Sequence, residues 1–238
     1  MPRRRKTKIP KLLHIVWIGD ESKRPSKGIA TWQQRNPGLH VKVWGNEDLT
    51  SRRWRTWRNM QKLLPAQIHG VADMMRWEIL HEFGGLAVDA DTICVRALDD
   101  WLFELEAFAC WENELVRPGL ISNGFVGTIP DNGFFGRVVR DIAGDAAVAS
   151  TPCWRSVGPG RFTDSYHRYG YTNLTILPSH FAAPRHFTGV KYTGSQMIYC
   201  TQQWSSTNAL LGKRTAGRRG KPVKFEIFGH KSWLQFRS

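Results

Sequence analysis

The sequence predicts a single α/β domain, a central sheet flanked by helices with a ligand crevice at the carboxyl ends of its strands. Three observations carry this expectation. Short apolar runs of strand length alternate with helical patterns along most of the 238 residues. One long helical pattern, Pro65 to Phe83, stops at Gly84-Gly85 and passes at once into another apolar run. The length suits one core of ordinary size, and no internal repeat or low-complexity segment divides it.

The elements follow in order. Leu12 to Ile18 reads as a buried strand, Ile29 to Arg35 as a short helix stopped by Asn36-Pro37-Gly38, and Val41 to Trp44 as a second strand. Arg52-Arg53-Trp54-Arg55-Thr56-Trp57-Arg58 interleaves arginine with tryptophan; on a helix Trp54 and Trp57 would share a face. From Pro65 to Phe83 the apolar residues Val71, Met74, Met75, Ile79, Leu80 and Phe83 make a core-facing stripe. A short apolar strand then carries Asp89-Ala90-Asp91. Strands follow at Ala107 to Trp111 and Asn123 to Ile129, helices at Gly133 to Ile142 and Arg161 to Arg168, and late strands at Leu174 to Leu177 and Met197 to Cys200.

The carboxylate pair carries the most chemistry. Side chains at i and i+2 of a strand leave the sheet on one face, so Asp89 and Asp91 could share one hard cation. A divalent ion held by carboxylate oxygens and water takes diphosphate oxygens as its remaining ligands. Asp73 and Arg76, three apart, neighbour each other on one face of the preceding helix, and the strand could bring both acids beside that face. An ordinary surface ion pair and a solvated acidic turn would use the same residues.

This segment resembles glycosyltransferase family 32, the group with the DXD sugar-binding region that includes initiating α-1,6-mannosyltransferases. Ala72, Asp73, Arg76, Leu80, Gly84, Gly85, Asp89 and Asp91 supply the family pattern in order, with Ala87 where the family usually has Tyr. Ile9 to Gly19 is similar to the family's opening strand and to that of the clostridial glucosylating toxins. Ile121 to Gly127 and Gly158-Pro159-Gly160 resemble its central strand and its Gly-Pro turn, so the likeness runs from Ile9 to about Trp204. It implies a GT-A-type nucleotide-sugar fold with a mixed sheet, occupying residues 9–238 behind a basic tail at 1–8. It also implies a metal-dependent, retaining hexosyltransferase drawing on a nucleoside-diphosphate sugar, with UDP favoured over GDP through the toxin likeness alone.

The family roles transfer position by position. Trp17, at the end of the first strand, resembles the aromatic that stacks the nucleotide base; a buried core tryptophan is the plainer reading. Asp73 and Arg76 match the positions that hold sugar hydroxyls, Asp89 the position that contacts ribose and sugar, and Asp91 the direct metal ligand. Asn123 matches a donor or acceptor contact, although Asn before Gly also suits a tight turn, and Gly158 suits either a phosphate or a plain turn. Near the C-terminus the family's His-His-Trp is replaced by Gln202-Gln203-Trp204. The resemblance assigns Gln202 to the metal beside Asp89 and Asp91, and Trp204 to the glycosidic oxygen. A Gln carbonyl ligates Mn²⁺ or Mg²⁺, more weakly than imidazole for softer metals.

Composition narrows the partners. Hydrophobic content of 41% and a mean hydropathy of -0.40 describe a soluble chain without a bilayer-spanning run. The basic start Met1 to Lys8 lacks the apolar stretch of a secretory signal, and four scattered cysteines form no secreted scaffold, so the expectation is cytoplasmic. Thirty-four Lys and Arg against twenty Asp and Glu give +14, which calls for anionic partners. Basic clusters at Arg3 to Lys11 and Lys213 to Lys221 suit peripheral contact with anionic membrane and hence a glycan or lipid-linked acceptor, as in polysaccharide biosynthesis. The cluster near 212–221, in a Gly-rich stretch, reads as a mobile lid or a solvated segment. No zinc-hydrolase, serine-hydrolase or Walker pattern is present. Two alternatives stand: a nucleic-acid-binding protein using the basic charge and eleven tryptophans, and a catalytically degenerate sugar-nucleotide binder.

Overall fold

A computed structural model describes residues 9–205, 207, 223–227 and 230–234. The basic tail at 1–8 and the segment near 212–221 lie outside the described residues. Where the sequence reads as one domain over 9–238, the contacts gather into two compact units, Met1–Gln203 and Trp204–Ser238.

In the first unit, β1 (Leu12–Val16) is followed by α1 (Ser26–Arg35), β2 (His40–Trp44), α2 (Asn46–Ser51), α3 (Trp57–Leu63) and α4 (Ile68–Phe83). Then come β3 (Gly85–Val88), β4 (Thr92–Cys94), β5 (Ala107–Asn113) and β6 (Arg117–Thr128). α5 (Gly133–Gly144), α6 (Cys153–Ser156), α7 (Pro159–Tyr169), β7 (Leu174–Leu177) and β8 (Cys200–Gln202) complete it. The main sheet has the order β2-β1-β3-β6-β5-β7. β1 is parallel to both β2 and β3, β5 is parallel to β7, and β6 runs antiparallel to its neighbours β3 and β5. All strands but β6 therefore point their carboxyl ends at one edge. The second unit's described residues form a hairpin of β9 (Val223–Ile227) and β10 (His230–Leu234), with Val223 opposite Leu234.

The sheet is covered on both faces, as the alternation of helix and strand requires. One core layer gathers Met74, Trp77, Phe135, Val138 and Phe162. The other gathers Leu13, Ile15, Trp32, Phe108, Phe125 and Tyr199. Helix α4 is buried almost all round, including Arg76 and Glu78, so the single apolar stripe read from the sequence understates it. Glu78 earns its burial by accepting from Arg55 N (2.7 Å), Thr56 N (2.9 Å) and Thr56 Oγ1 (2.6 Å), which satisfies donors at the start of α3.

Two local expectations are corrected. Arg52 to Arg58 is not one helix: Trp54 lies in a turn, is buried and donates to Leu49 O at 3.0 Å, while Trp57 opens α3 and is 37% exposed. Arg52 covers the Trp44, Trp54 and Phe83 rings and pairs with Glu82, so its charge is spent on packing. Asp89-Ala90-Asp91 is not on a strand either; β3 ends at Val88 and the tripeptide turns towards β4. Boundaries shift elsewhere: α4 starts at Ile68 after the cis Leu64-Pro65 bond, and the last strand pairs over Cys200–Gln202 with β4.

The Gly84-Gly85 stop is demanded by space as well as by conformation. Gly84 and Gly85 have φ of 61° and 88°, and an added Cβ would sit 2.5 Å from Pro130 N and 2.7 Å from Leu12 O respectively. Helix α4 can turn straight into the central strand β3 only because both side chains are missing.

The same junction holds a buried histidine. His14 Nε2 bonds Gly84 O at 2.9 Å, and Trp44 Nε1 donates to His14 Nδ1 at 3.2 Å, so the ring is neutral with its proton on Nε2. Burial pulls its pKa from 6.5 to about 4, against the Gly84 bond, with His40 adding repulsion. The unfolded chain therefore binds the proton first as pH falls. His14's contribution is complete above pH 6.5 and is lost progressively down to about 4. Denaturant titrations across this window should show a fall of about 3 kcal/mol that shrinks in His14→Gln, whose amide can keep both bonds. Equal losses in both proteins would refute the assignment.

Candidate active site: a carboxylate cluster around Arg76

Asp73 and Arg76 project from one face of α4, and Asp89 follows β3, which the Gly84-Gly85 turn lays back along that helix. Arg76 Nη1 donates to Asp73 Oδ1 at 3.0 Å, and Nη2 donates to Asp89 Oδ1. Asn123, on β6 and therefore not in a tight turn, donates from Nδ2 to Asp73 Oδ1 at 2.8 Å. Gly158, at the start of α7, closes the other side: a Cβ there would meet Asp73 Oδ2 at 2.9 Å and Trp154 Cα at 3.0 Å.

The Asp89-Ala90-Asp91 turn is pinned at both ends. Asp89 N donates to Gly124 O at 3.2 Å, and Asp89 O accepts from Thr92 N at 3.1 Å and Thr92 Oγ1 at 2.7 Å. Trp32, in the core, donates to the same hydroxyl at 3.1 Å. The β4–β8 pairing sets Gln202 opposite Thr92, and Gln202 Nε2 donates to Asp89 Oδ2 at 2.9 Å and Asp91 Oδ1 at 3.0 Å. The two acids converge, as expected, by a turn rather than by a common strand face.

The electrostatics follow from burial. Arg76 is 5% exposed, and although burial opposes its charge, Asp89 and Asp73 outweigh that and hold its pKa above the ordinary value. Burial pushes Asp73 up to about 7 against the pull of Arg76, and the charge on Asp89 adds to the rise. Three carboxylates gather about one guanidinium, and the negative excess that a divalent ion would offset grows as Asp73 ionises above about 7. Among the described residues no group of three His, Cys, Asp or Glu side chains forms a metal cage. A cation would thus have Asp89 and Asp91 as protein anions, the Gln202 amide turned to offer its oxygen, and positions left for water and diphosphate. The donor set fits a hard ion such as Mn²⁺ or Mg²⁺.

Trp17 leaves the sheet beside this turn, because the β1–β3 register sets Ile15 against Val88. It is half-buried, with its indole N–H donating to Asp20 O at 3.2 Å, and is not the core tryptophan of the plainer reading. Trp204 begins the second unit, with a positive φ of 56°. A Cys153–His69 contact at 2.7 Å leaves no local trace in the sequence. Burial, then the Asp73 charge, push that thiol up to about 11, and burial lowers His69, so the pair is neutral and supplies no thiolate nucleophile.

Arg76 is the hinge of this arrangement. In Arg76→Met two half-buried carboxylates lose their cation, which should cost about 3 kcal/mol on the alkaline side of Asp73's titration. The cost should shrink as pH falls through about 7, where Asp73 becomes neutral. Chemical denaturation at several pH values checks this; a pH-independent loss would contradict it.

Comparison with known proteins agrees with this geometry. Residues 22–107, which include Asp73, Arg76, Asp89 and Asp91, match the family described as "Glycosyltransferase sugar-binding region containing DXD motif". Inositol phosphoceramide mannosyltransferase 3 of Schizosaccharomyces pombe is 28% identical over 142 residues, 56% of this chain. The chain's match spans 37% of that relative's length. Among solved structures, the PaToxG glycosyltransferase superposes with a TM-score of 0.56 at 13% identity, over 68% of this chain and 70% of that one. The ligand-free glycosyltransferase domain of the YGT toxin gives a TM-score of 0.52 at 9% identity, over 76% and 84%. Residues 22–107 are thus similar to a DXD-containing glycosyltransferase sugar-binding region, and the fold is similar to that of these glycosyltransferase domains.

Proposed function

We propose that the chain is a metal-dependent, retaining glycosyltransferase that moves a hexose from a nucleoside-diphosphate sugar to a hydroxyl of a glycan or lipid-linked acceptor. The observation that carries this reading is the bridge from Gln202 Nε2 to Asp89 and Asp91, because it marks a point where one centre meets both carboxylates. Mn²⁺ or Mg²⁺ bound there would neutralise the departing diphosphate. Asp73 and Arg76 would fix the sugar hydroxyls, Asn123 would hold Asp73 in orientation, and Trp17 would stack the base. The Gly158 backbone would approach the donor without a side chain in the way. Trp204 is retained as a contact to the glycosidic oxygen by resemblance alone.

No carboxylate is assigned as general base. In a displacement on one face, the leaving diphosphate accepts the acceptor's proton. UDP remains the preferred nucleotide through the toxin likeness, and the name of the yeast relative adds mannose to the candidate sugars. The net charge of +14 suits an acceptor presented at an anionic surface. Among the described residues no helix is long and apolar enough to cross a membrane.

Gln202 also favours a second reading. Its Nε2 donates to both acids, as expected of a degenerate centre that binds donor without transfer, whereas a metal ligand would face the ion through its amide oxygen. Free-nucleotide release from UDP- and GDP-sugars, with Mn²⁺, Mg²⁺ or EDTA, separates the two. Release from one donor should require metal and should fall at least a hundredfold in Asp91→Asn with the melting curve preserved. Near-normal release in folded Asp91→Asn sinks the metal assignment; calorimetric donor binding without release supports the degenerate reading.

A further inference from the structure

A second charged cluster sits at the same edge of the sheet. Glu112, near the end of β5, accepts from Arg117 Nη1 at 3.0 Å across the hairpin, and His186 Nε2 lies 3.5 Å from the same Glu112 Oε1. These side chains are 7%, 13% and 0% exposed. Above them, the Arg117 guanidinium lies 5.1 Å from the Trp154 ring and 5.6 Å from the Phe187 ring. Both rings are half-buried. The ion pair is thus flanked by two half-buried aromatic faces.

This cluster adjoins the site already described. Trp154 Cα is 3.0 Å from the place of a Gly158 Cβ, and that same place is 2.9 Å from Asp73 Oδ2. A continuous wall therefore runs from Asp73 through Gly158 and Trp154 to Arg117 and Glu112. An apolar core of equal volume would hold the hairpin as well as a buried ion pair does, so stability alone does not account for the charges. Aromatic faces beside a carboxylate and a guanidinium match a ring polyol, whose C–H face stacks while its vicinal hydroxyls bond the charged groups.

We propose that Trp154, Phe187, Arg117 and Glu112 form the acceptor subsite, and that the acceptor presents a six-membered polyol ring. The proposal rests on the glycosyltransferase reading. In the transfer, the acceptor hydroxyl oxygen bonds to the anomeric carbon, the bond from that carbon to the diphosphate oxygen breaks with its electron pair on diphosphate, and the hydroxyl proton passes to diphosphate.

The test measures donor turnover to water and to added acceptors, using methyl α-D-mannopyranoside, myo-inositol and, as an acyclic control, glycerol. A ring polyol should take the sugar, and glycerol should not. Phe187→Leu and Glu112→Gln should raise the acceptor KM and lower the transfer-to-hydrolysis ratio by about tenfold each. Phe187→Leu, at the rim, keeps the test informative if Glu112→Gln unfolds. Donor turnover that no ring polyol alters, or a ratio unchanged in folded Phe187→Leu, overturns the subsite alone. Absence of turnover with every donor overturns the glycosyltransferase reading beneath it.

Discussion

The buried guanidinium of Arg76 is the constraint on which the site depends. It joins Asp73 on its own helix to Asp89 beyond the next strand, and so fixes where the β3 turn leaves the sheet. Asn123 and Gly158 then close on Asp73 from β6 and α7, which brings two further elements to one point. A charge held this deeply is costly, and the two carboxylates it pairs with offset that cost. The Gly84-Gly85 junction makes the geometry attainable, since no residue with a Cβ would let α4 fold back so closely on β3.

What the sequence revealed and what it withheld divide along physical lines. Local signals were legible: the helix stop, the three-residue spacing of Asp73 and Arg76, and the alternation of apolar runs all report interactions within one or two elements. The carboxylate turn was misread as strand because an apolar run gives no warning of where its ladder ends. The three-residue spacing of Trp54 and Trp57 fits a turn packed under Arg52 as well as a helix, so the pattern alone does not place them. Gln202 was reached by family resemblance, yet its partner Thr92 could not be, since pairing across 110 residues leaves no local trace. The Glu112–Arg117–His186 cluster was missed for the same reason: its members come from a hairpin and a distant loop, and each alone looks like a surface charge.

The charge distribution resolves an apparent conflict. The chain as a whole is strongly basic, whereas the cluster around Arg76 carries an excess of negative charge. A basic surface draws an anionic donor or anionic membrane over long range, while an acidic pocket would repel the diphosphate at close range. A cation between the acids and the diphosphate would reconcile the two tendencies, and the excess it would offset grows as Asp73 ionises above about 7.

Gln202 stands where the family that this segment resembles has histidine, and the difference bears on what the centre can hold. An imidazole near two carboxylates tends to become protonated and to occupy the cation's place as a charge. A neutral amide holds the same two oxygens by hydrogen bonds and carries no net charge, so an incoming ion displaces dipoles rather than a competing cation. Its carbonyl is also hard, which shifts preference away from softer metals. With Gln202 at this position, an ion would be held weakly by the protein alone and more firmly once diphosphate oxygens completed its shell. Metal and donor would then bind cooperatively, each completing the site for the other.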